Sequence, residues 1–561
     1  MLKYAIIALS GIVILLFWRS WYRKKQITRL KTKMQLRWGE VQYSDPPFHL
    51  VETYSLAITS PAEQIITPHQ FADLDLNAAF EYVDRTITRP GQQYLYHLIR
   101  QPSHDPAVLE ERDQQACFFI TNTALREEIQ LLLHPLSDND AYFVTSLLEQ
   151  KLAERPSYLK WLPVSVTAVI LILLLAPWYH PLLLWLFIPL PLNLFVHLKN
   201  KSNLHRFTRS FPQLNQMIRI ADKLSTHPIP FPTVQTQSAI SALKSFRKKF
   251  AILNAGQLSG NPMIDEMSQL TAYLFELLRA FFLVEIHTFF SLIRELENKR
   301  EDILALYQLI GSVDTALSIA SLRSGEVTWC RPQFTQSAKA LQAKNMHHPL
   351  ISNCVPNSLL IQNKSILLTG SNMSGKTTFL RALGLNIIFA QSINTCFAEE
   401  MQLPVAAHLY SSIRIDDDLQ EGKSYYFEEV NIMSGLIHEV RPNRQNIFIL
   451  DEVFKGTNTI ERIAAGKAIL SWLNRYNNVV LVATHDVELT DMLETEYDLY
   501  HFTETIQNDQ LHFDHLIKKG PLTTRNAIKI LEMTGYPSAI IDEASAISQQ
   551  LIIQKEKHQK G

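Results

Sequence analysis

Residues 365–383 read SILLTGSNMSGKTTFLRAL, and this stretch decides the fold of the C-terminal part of the chain. It begins with an apolar run, Ser365–Thr369, that predicts a buried strand, and it ends with Thr378–Leu383, which predicts the start of a helix. Between them, Gly370 to Thr377 fit the pattern G-x-x-x-x-G-K-[ST]. Glycines let such a loop curl so that its N–H groups and the helix N-terminus face phosphate oxygens. Strand, loop and helix together predict a phosphate-binding loop of the kind that holds ATP.

The whole loop is expected to bind the nucleotide, through Gly370, Ser371, Asn372, Met373, Ser374, Gly375, Lys376, Thr377 and Thr378. In a loop of this pattern the lysine, here Lys376, neutralises the β- and γ-phosphates, and the hydroxyl of Thr377 binds Mg²⁺. ATP and Mg²⁺ are therefore the expected ligands.

Two further apolar runs end in polar residues that suit the same chemistry. Ile447–Leu450 predicts a buried parallel strand, and Asp451 and Glu452 follow it. An Asp at this position can hold the metal, and the Glu beside it can polarise the attacking water. The third run, 478–484, ends in His485, a candidate contact to the γ-phosphate. Three strand-end motifs in this order are typical of the ABC-type ATPases and predict an α/β domain with a mostly parallel sheet.

These residues resemble the MutS family of DNA mismatch-repair ATPases. The loop TGSNMSGKTTFLRALGLN, residues 369–386, is similar to the family's TGPNMAGKST followed by a helix. LDEVFKGTNT at 450–459 is similar to its LDE-hydrophobic-GRGTST segment, and ATH at 483–485 to its ATH. DDDLQEGKSYYFEE at 416–429 resembles its DDL-x-x-G-x-S-T-F-M-x-E. The resemblance implies an ATPase whose catalytic residues are Lys376, Glu452, His485 and Ser424, with Thr377 and Asp451 as the magnesium ligands.

The resemblance further implies a composite site that two copies of the chain share, and hence a homodimer through the ATPase domains. Ser424 matches the signature serine that acts on the γ-phosphate in trans, and it is also a candidate N-cap for a helix from Tyr425 to Val440. Asn357 matches a position near the adenine. The loop that couples the two sites is matched by Gly456, Thr457 and Asn458.

The resemblance covers roughly Asp73–Gln150 and Glu301–Gln549, so it includes parts of an all-α core and lever domain. Because the core match begins so early, the family's mismatch-reading domain is expected to be missing. Basic candidates for DNA contact are Arg19–Arg37 and Lys244–Lys249. Anionic lipid is the default partner of the first run, and a solvated helix face is the alternative for the second.

Two apolar segments predict three transmembrane helices. Tyr4–Trp18 is uncharged, and basic residues follow it rather than precede it, which favours an anchor over a cleaved signal peptide. Trp161–Leu198 contains no Asp, Glu, Lys or Arg and predicts two spans that turn near Pro177–Pro181, with a buried soluble hairpin as the alternative. Leu270–Ile293 carries charges at helical spacings, which favours a buried or membrane-surface helix. We expect a multi-pass protein of the cell membrane with its ATPase domain in the cytoplasm.

Length and composition limit the remaining choices. A chain of 561 residues exceeds one compact core, and the formal net charge of −1 gives no overall basic surface for nucleic acid. Four scattered cysteines disfavour a disulfide framework or a zinc site. The predicted domains are an anchor with its basic flank (1–40), two core segments (41–158 and 201–335) around a transmembrane hairpin (159–200), and an ATPase domain (336–561).

Three functions remain compatible with the sequence. The first is a membrane-anchored MutS-like ATPase whose dimer binds or remodels DNA in a mismatch-repair-like role. The second is an ATP-driven membrane switch or scaffold that has no DNA substrate. The third is transport, which the missing LSGGQ signature and the small number of spans disfavour.

Overall fold

The computed structural model describes most of the chain. It covers residues 2–42, 45–58, 64–149, 157–231, 233–246, 281–337, 339–371, 373–405, 407–413, 425–454, 458–507, 510–522 and 527–559. Two compact units are present, and neither is a single range of sequence. We call them the helical unit (Met1–Pro61, Val83–Arg100 and Glu111–Glu326) and the sheet unit (Ala62–Tyr82, Gln101–Glu110 and Val327–Gly561).

The described part of the helical unit contains α-helices and short 3₁₀ helices. The α-helices are Leu2–Arg37, Phe48–Val51, Thr53–Ala57, Arg89–Arg100, Thr123–Leu133, Leu162–Leu175, Pro189–Leu224, Thr233–Lys244, Val284–Glu297 and Arg300–Arg323. The 3₁₀ helices are His134–Leu136, Asn139–Leu147, Ser157–Trp161 and His180–Phe187. The helix Pro106–Thr121 contributes residues to both units. One apolar core, which includes the fully buried Tyr54, Phe119 and Tyr307, holds these helices together.

The helix Arg300–Arg323 lies in that core, and its Asp314 carboxylate binds the residues that precede the neighbouring helix Arg89–Arg100. Asp314 is fully buried and accepts hydrogen bonds from the backbone N–H groups of Ile87 and Thr88 at 3.0 and 2.7 Å. The Thr88 hydroxyl donates to the same carboxylate at 2.6 Å and accepts from the N–H of Gly91. A Cβ on Gly91 would lie 2.1 Å from Asp314 Oδ2, so this close approach requires glycine.

The prediction of three transmembrane helices is only partly met. Among the described residues, two helical segments are long and apolar enough to cross a membrane, His180–Lys199 and Arg300–Arg323. The second is a core helix, since 78% of its apolar window is buried, whereas the corresponding figure for the first is 11%. The other half of the predicted hairpin, Leu162–Leu175, has 14 residues and reaches only about 21 Å, short of a bilayer core of about 30 Å. Prolines at 177 and 181 interrupt this apolar run, which explains why it does not form two full-length spans.

Exposure of large apolar side chains nevertheless concentrates in this region. Trp178, Leu184 and Phe187 are 82%, 68% and 77% exposed. The N-terminal segment predicted as an anchor forms the first half of one 36-residue helix, Leu2–Arg37, but the side chains of residues 2–16 lie outside the described part. Residues 270–280 also fall outside it, and residues 281–293 lie in the helix Val284–Glu297 and the three residues before it.

The sheet unit is built on strands, numbered here in chain order. They are β1 Gln333–Thr335, β2 Leu341–Met346, β3 Asn357–Ile361, β4 Ser365–Thr369, β5 Glu400–Pro404, β6 Ala407–Ser412, β7 Gln445–Asp451, β8 Val479–Thr484, β9 Tyr497–His501, β10 Glu504–Gln507, β11 Gln510–Phe513 and β12 Lys518–Lys519. In the described residues they form a sheet of order β12-β9-β4-β8-β7-β6, a second sheet of order β1-β5-β2-β3, and the hairpin β10-β11. The five strands from β9 to β6 are parallel, which confirms the predicted α/β architecture with a mostly parallel sheet.

Helices cover this sheet and connect its parallel strands. They are Pro68–Asp73, Leu76–Val83, Lys376–Ile393, Tyr425–His438, Thr459–Leu473, Glu488–Leu493, Ala527–Met533 and Ser538–Gln559. The helix Lys376–Ile393 is buried along almost its whole length, and a Cβ on Gly384 would lie 2.6 Å from Leu74 Cδ2. This tight packing fixes the start of the helix, and therefore the loop before it, against the sheet.

Candidate functional site

The predicted site residues lie at the carboxyl ends of three neighbouring parallel strands. The loop 370–375 follows β4, Asp451 ends β7, and His485 follows β8. The register pairs Thr369 with Thr484 and Asp451 with Ala483, so all three strands end at nearly the same level. Carboxyl ends of parallel strands are where ligands of open α/β sheets bind, because the loops that leave them splay apart.

The phosphate-binding loop has the backbone conformation that its glycines predict. Gly370 and Gly375 have φ angles of 153° and 111°, and Met373 adopts a positive φ of 71°. Ser374 turns back so that its hydroxyl donates to the carbonyl of Ser371 at 2.8 Å. The helix Lys376–Ile393 begins directly after Gly375, so its unpaired N–H groups face the loop.

Lys376 is the buried cation of this loop. Its side chain is 5% exposed, and its Nζ donates to the carbonyls of Gly370 and Ser371 at 2.7 and 2.9 Å. The ammonium is therefore held against backbone carbonyls at the start of the helix Lys376–Ile393.

The two predicted magnesium ligands are in direct contact. The hydroxyl of Thr377 donates to Asp451 Oδ2 at 2.5 Å. Both are hard oxygen donors, and Mg²⁺ is commonly held by one or two protein oxygens together with phosphates and water. Among the described residues, no group of three or more His, Cys, Asp or Glu side chains is placed to hold a metal ion.

Glu452 and His485 are in contact at the carboxyl edge of the sheet. His485 Nε2 lies 3.1 Å from Glu452 Oε1. The backbone N–H of Glu452 donates to the carbonyl of Ala483 at 2.8 Å, although Glu452 has a positive φ of 67°. A left-handed conformation at a non-glycine residue costs of order 1–3 kcal/mol and is concentrated at functional sites. Phe454, two residues on, is held in the same region with a φ of 61°.

These residues open onto one cavity of about 470 Å³. Its polar wall includes Ser371, Lys376, Thr377, Asp451, Glu452 and His485, and its apolar wall includes Met346, Ile351, Val355, Phe379 and Ala382. The lining therefore combines charged with apolar side chains, which suits a ligand that has both kinds of group.

Two histidines in the wall were not predicted as site residues. His515 lines the cavity, and its Nδ1 lies 3.1 Å from the carbonyl of Ser374. His348 also lines it, and burial, together with the positive charge of Arg381, lowers its pKa to about 4. The backbone N–H of Leu350 donates to His348 Nδ1, so this neutral ring carries its proton on Nε2. No motif of the chain includes His515; the only signal was its place just after a strand.

Asn357 lies in the same wall, but its amide is committed to a neighbouring loop. Its Nδ2 donates to the carbonyl of His515 at 2.9 Å, and its Oδ1 accepts from the N–H of Ile517 at 2.8 Å. Through these bonds Asn357 fixes the segment that carries His515. The prediction that Asn357 lies near the adenine stays a prediction.

Several predicted residues lie outside the described part of the chain: Asn372, Ser424, Gly456 and Thr457. The helix expected after Ser424 is present and runs from Tyr425 to His438, two residues shorter than predicted. Asn458 is described, and its side chain accepts from the N–H of Glu461 at 3.0 Å as the N-cap of the helix Thr459–Leu473.

Comparison with known proteins gives one family for this region. Residues 366–552 match the family model for MutS domain V. DNA mismatch repair protein MutS of Lactobacillus delbrueckii subsp. bulgaricus is 31% identical over 261 residues, which are 45% of this chain and 30% of that protein. The MutS proteins of Thermus thermophilus and Petrotoga mobilis are 30% and 32% identical over 266 and 255 residues. The chain therefore spans only about a third of the length of the curated relatives it matches.

Proposed function

We propose that this chain, which is a MutS family protein by its C-terminal region, binds Mg-ATP in the cavity of the sheet unit and hydrolyses it. The observation that carries the proposal is the convergence of Lys376, Thr377, Asp451 and Glu452 on one cavity at the carboxyl edge of the parallel sheet. They come from two separate sequence motifs, the loop that ends in Lys376 and Thr377 and the pair Asp451 and Glu452, and each supplies chemistry that phosphoryl transfer needs.

Positioning and electrostatics account for the proposed reaction. The N–H groups of the loop and the helix N-terminus hold the phosphates, and Lys376 exchanges its loop carbonyls for phosphate oxygens. Thr377 and Asp451 would hold Mg²⁺, which neutralises developing charge on the phosphates. Glu452 orients the attacking water by accepting its hydrogen bond, and His485 keeps the Glu452 carboxylate in place through their 3.1 Å contact.

The second half of the proposal concerns DNA. The relatives named above are DNA mismatch repair proteins, and this chain would use its ATPase in a mismatch-repair-like role by binding or remodelling DNA. Purified full-length protein in lipid nanodiscs tests this through ATP turnover with homoduplex, mismatched and branched DNA, with Glu452→Ala as the inactive control. Stimulation by one DNA form that disappears at higher salt supports the DNA role. Turnover that responds to none of them refutes it and leaves the alternative of an ATP-driven membrane switch.

The ATPase is further proposed to work as a homodimer in which Ser424 completes the partner's site. A complementation assay separates this arrangement from a site within one chain. Lys376→Ala and Ser424→Ala proteins should each be inactive alone, whereas their mixture forms dimers that contain one intact site and regains part of the turnover. No recovery after subunit exchange would mean that Lys376 and Ser424 act within the same chain.

Attachment to a membrane is proposed on the exposed apolar side chains of His180–Lys199 and their basic flank at Lys199 and Lys201. In this arrangement the ATPase domain lies in the cytoplasm, and lipid is a direct partner. Extraction of native membranes checks this: the protein should stay with the membrane in alkaline carbonate and leave it only in detergent. Release by carbonate would contradict insertion.

A further inference from the structure

The helical unit contains a cavity of its own, about 330 Å³ in volume. It is lined by Leu30, Lys33, Met34, Arg37, Trp38, Gln42, Arg85, Thr86, Ile87, Arg89, Gln130, His134, Ser137 and Ser321. All these residues belong to the helical unit, so this cavity involves none of the residues around the nucleotide loop.

The lining of this cavity is strongly basic. Lys33, Arg37, Arg85, Arg89 and His134 contribute to it, and none of its lining residues is an Asp or a Glu. An anion that binds in the cavity would reduce the electrostatic repulsion among these side chains.

The basic side chains of this cavity differ in how far they are exposed to solvent. Lys33 and Arg37 are exposed and lie one turn apart on the helix Leu2–Arg37, so they can close over a bound molecule. Arg85 is 5% exposed, and the Nε of Arg89 is buried and makes no hydrogen bond to the described residues. Burial, and then the charge of Lys33, lowers the pKa of His134, which agrees with a positive field in the cavity.

Neighbouring contacts hold this cavity in shape. Lys31 and Gln35 bind Glu127 at 2.8 and 2.7 Å and fix the end of the first helix to the unit. The guanidinium of Arg126 lies 3.9 Å from the ring centre of Trp38, another wall residue. The carboxylate of Glu127 is therefore bound by two side chains that do not line the cavity.

The acidic group nearest in sequence is also engaged elsewhere. Asp84 Oδ1 accepts from the N–H and the hydroxyl of Thr86, and its Oδ2 accepts from Gln92 at 2.6 Å. Burial raises the pKa of Asp84, and the charge of Arg89 acts in the opposite direction. The wall supplies further neutral donors in Ser137 and Gln130.

The geometry points to a binding site for a small phosphate-bearing anion in this cavity, held by Arg89 and Arg85 at its base and by Lys33 and Arg37 at its rim. Arginine forks and lysine ammonium groups are the side chains that proteins use for phosphate, and a volume near 330 Å³ suits a phosphomonoester or pyrophosphate group with a small substituent. The phosphate would come either from a soluble metabolite or from the headgroup of an anionic lipid, because the same helix runs on into the segment predicted as an anchor.

Calorimetric titration of the full-length protein with inorganic pyrophosphate tests the site. The titration uses Lys376→Ala protein in nanodiscs of zwitterionic lipid, so that the nucleotide loop does not dominate the signal. Saturable binding should remain, and Lys33→Gln combined with Arg37→Gln should weaken it at least about tenfold, through the loss of two charge-assisted contacts. Both side chains are exposed, so this variant should unfold at the same temperature as its parent.

Arg29→Gln is the matched control, since Arg29 is exposed on the same helix and does not line the cavity. It should leave the pyrophosphate affinity within about twofold. Absence of saturable binding, or an equal loss with Arg29→Gln, would overturn the proposal. Nanodiscs that contain phosphatidic acid identify the source: suppression of pyrophosphate binding assigns the site to a lipid headgroup, and unchanged binding assigns it to a soluble phosphate.

Discussion

Asp314 in the helical unit and Asp451 in the sheet unit are two carboxylates that are shielded from full solvent but have different surroundings. Asp314 is fully buried and is surrounded by the N–H groups of Ile87 and Thr88 and the hydroxyl of Thr88. Asp451 receives the hydroxyl of Thr377 and faces the larger cavity. The first carboxylate is enclosed by its own donors, whereas the second is half-open to a ligand.

This difference indicates that Asp314 contributes to stability, whereas Asp451 is available for function. A carboxylate enclosed by donors contributes to stability, and changes to it should appear in unfolding measurements. A carboxylate that faces a cavity beside a buried cation is available for chemistry, and changes to it should appear in turnover. The predictions that follow test this separation.

The largest effect is expected from Lys376→Ala. Loss of the buried ammonium should lower ATP turnover by about 10²–10³-fold, because the phosphates lose their principal cation in the loop. Lys364→Ala is the control: Lys364 precedes the same strand, and its Nζ donates at the surface to the carbonyl of Glu494. Steady-state kinetics of both variants measure the two turnover rates. Similar losses of turnover in the two variants would contradict a specific role for Lys376.

The next effect is a pH dependence of stability that Asp314 introduces. Burial raises its pKa from about 3.8 to about 7, so between these values the folded state binds more protons than the unfolded state. The free energy of unfolding should therefore fall as pH rises from about 4 to about 7 and then become level. Three histidines with pKa values lowered to about 4, at positions 97, 104 and 348, give the opposite slope over part of the same range.

The difference between wild type and Asp314→Asn isolates the contribution of Asp314. Thermal unfolding should show a wild-type stability that declines relative to the variant across this pH interval. An unchanged difference at every pH would mean that Asp314 titrates at its ordinary value.

Gly91→Ala tests how closely the donors are packed around Asp314. The new Cβ would lie 2.1 Å from Asp314 Oδ2, so the helix Arg89–Arg100 must shift, at a cost of about 1–3 kcal/mol. Gly435→Ala is the matched change, since its Cβ meets nothing within 4 Å and alanine favours the helix by about 0.5–1 kcal/mol. The unfolding temperature should fall for Gly91→Ala and rise for Gly435→Ala. An unchanged unfolding temperature for Gly91→Ala would show that Gly91 is loosely packed against Asp314.

The smallest effect is expected at Asn458, the N-cap of the helix Thr459–Leu473. Asn458→Ala should cost about 1 kcal/mol and speed amide hydrogen exchange in the first helical turn about fivefold. Asn458→Ser keeps an acceptor and should exchange at nearly the wild-type rate. Equal amide exchange rates in wild type, Asn458→Ala and Asn458→Ser would contradict the capping role of Asn458.

Much of the sheet unit could be predicted from local sequence, because its signals are short and contiguous. The strand predicted at Ser365–Thr369 is β4, and those predicted at Ile447–Leu450 and 478–484 are β7 and β8 to within a few residues. An apolar run that ends in a polar residue marks a buried parallel strand and the residue at its carboxyl end.

What the sequence could not predict depends on contacts between distant segments. The assignment of Ala62–Tyr82 to the sheet unit is one example, since Gln64 reaches β6 by donating to the carbonyl of Leu409. His515 enters the site only because Asn357 binds its loop. Apolar composition also overstated the membrane hairpin, because it reports polarity and not the length of a continuous helix.

We propose that ATP is hydrolysed at the carboxyl edge of the parallel sheet, where Asp451 lies, and that the enclosed carboxylate of Asp314 does not take part. The most direct measurement is ATP binding and turnover of the full-length protein with Glu452→Gln beside Asp314→Asn. We expect Glu452→Gln to keep ATP affinity and to lose turnover by about 10²–10⁴-fold, whereas folded Asp314→Asn should keep both. Wild-type turnover in Glu452→Gln, with ATP bound in the same cavity, would contradict it.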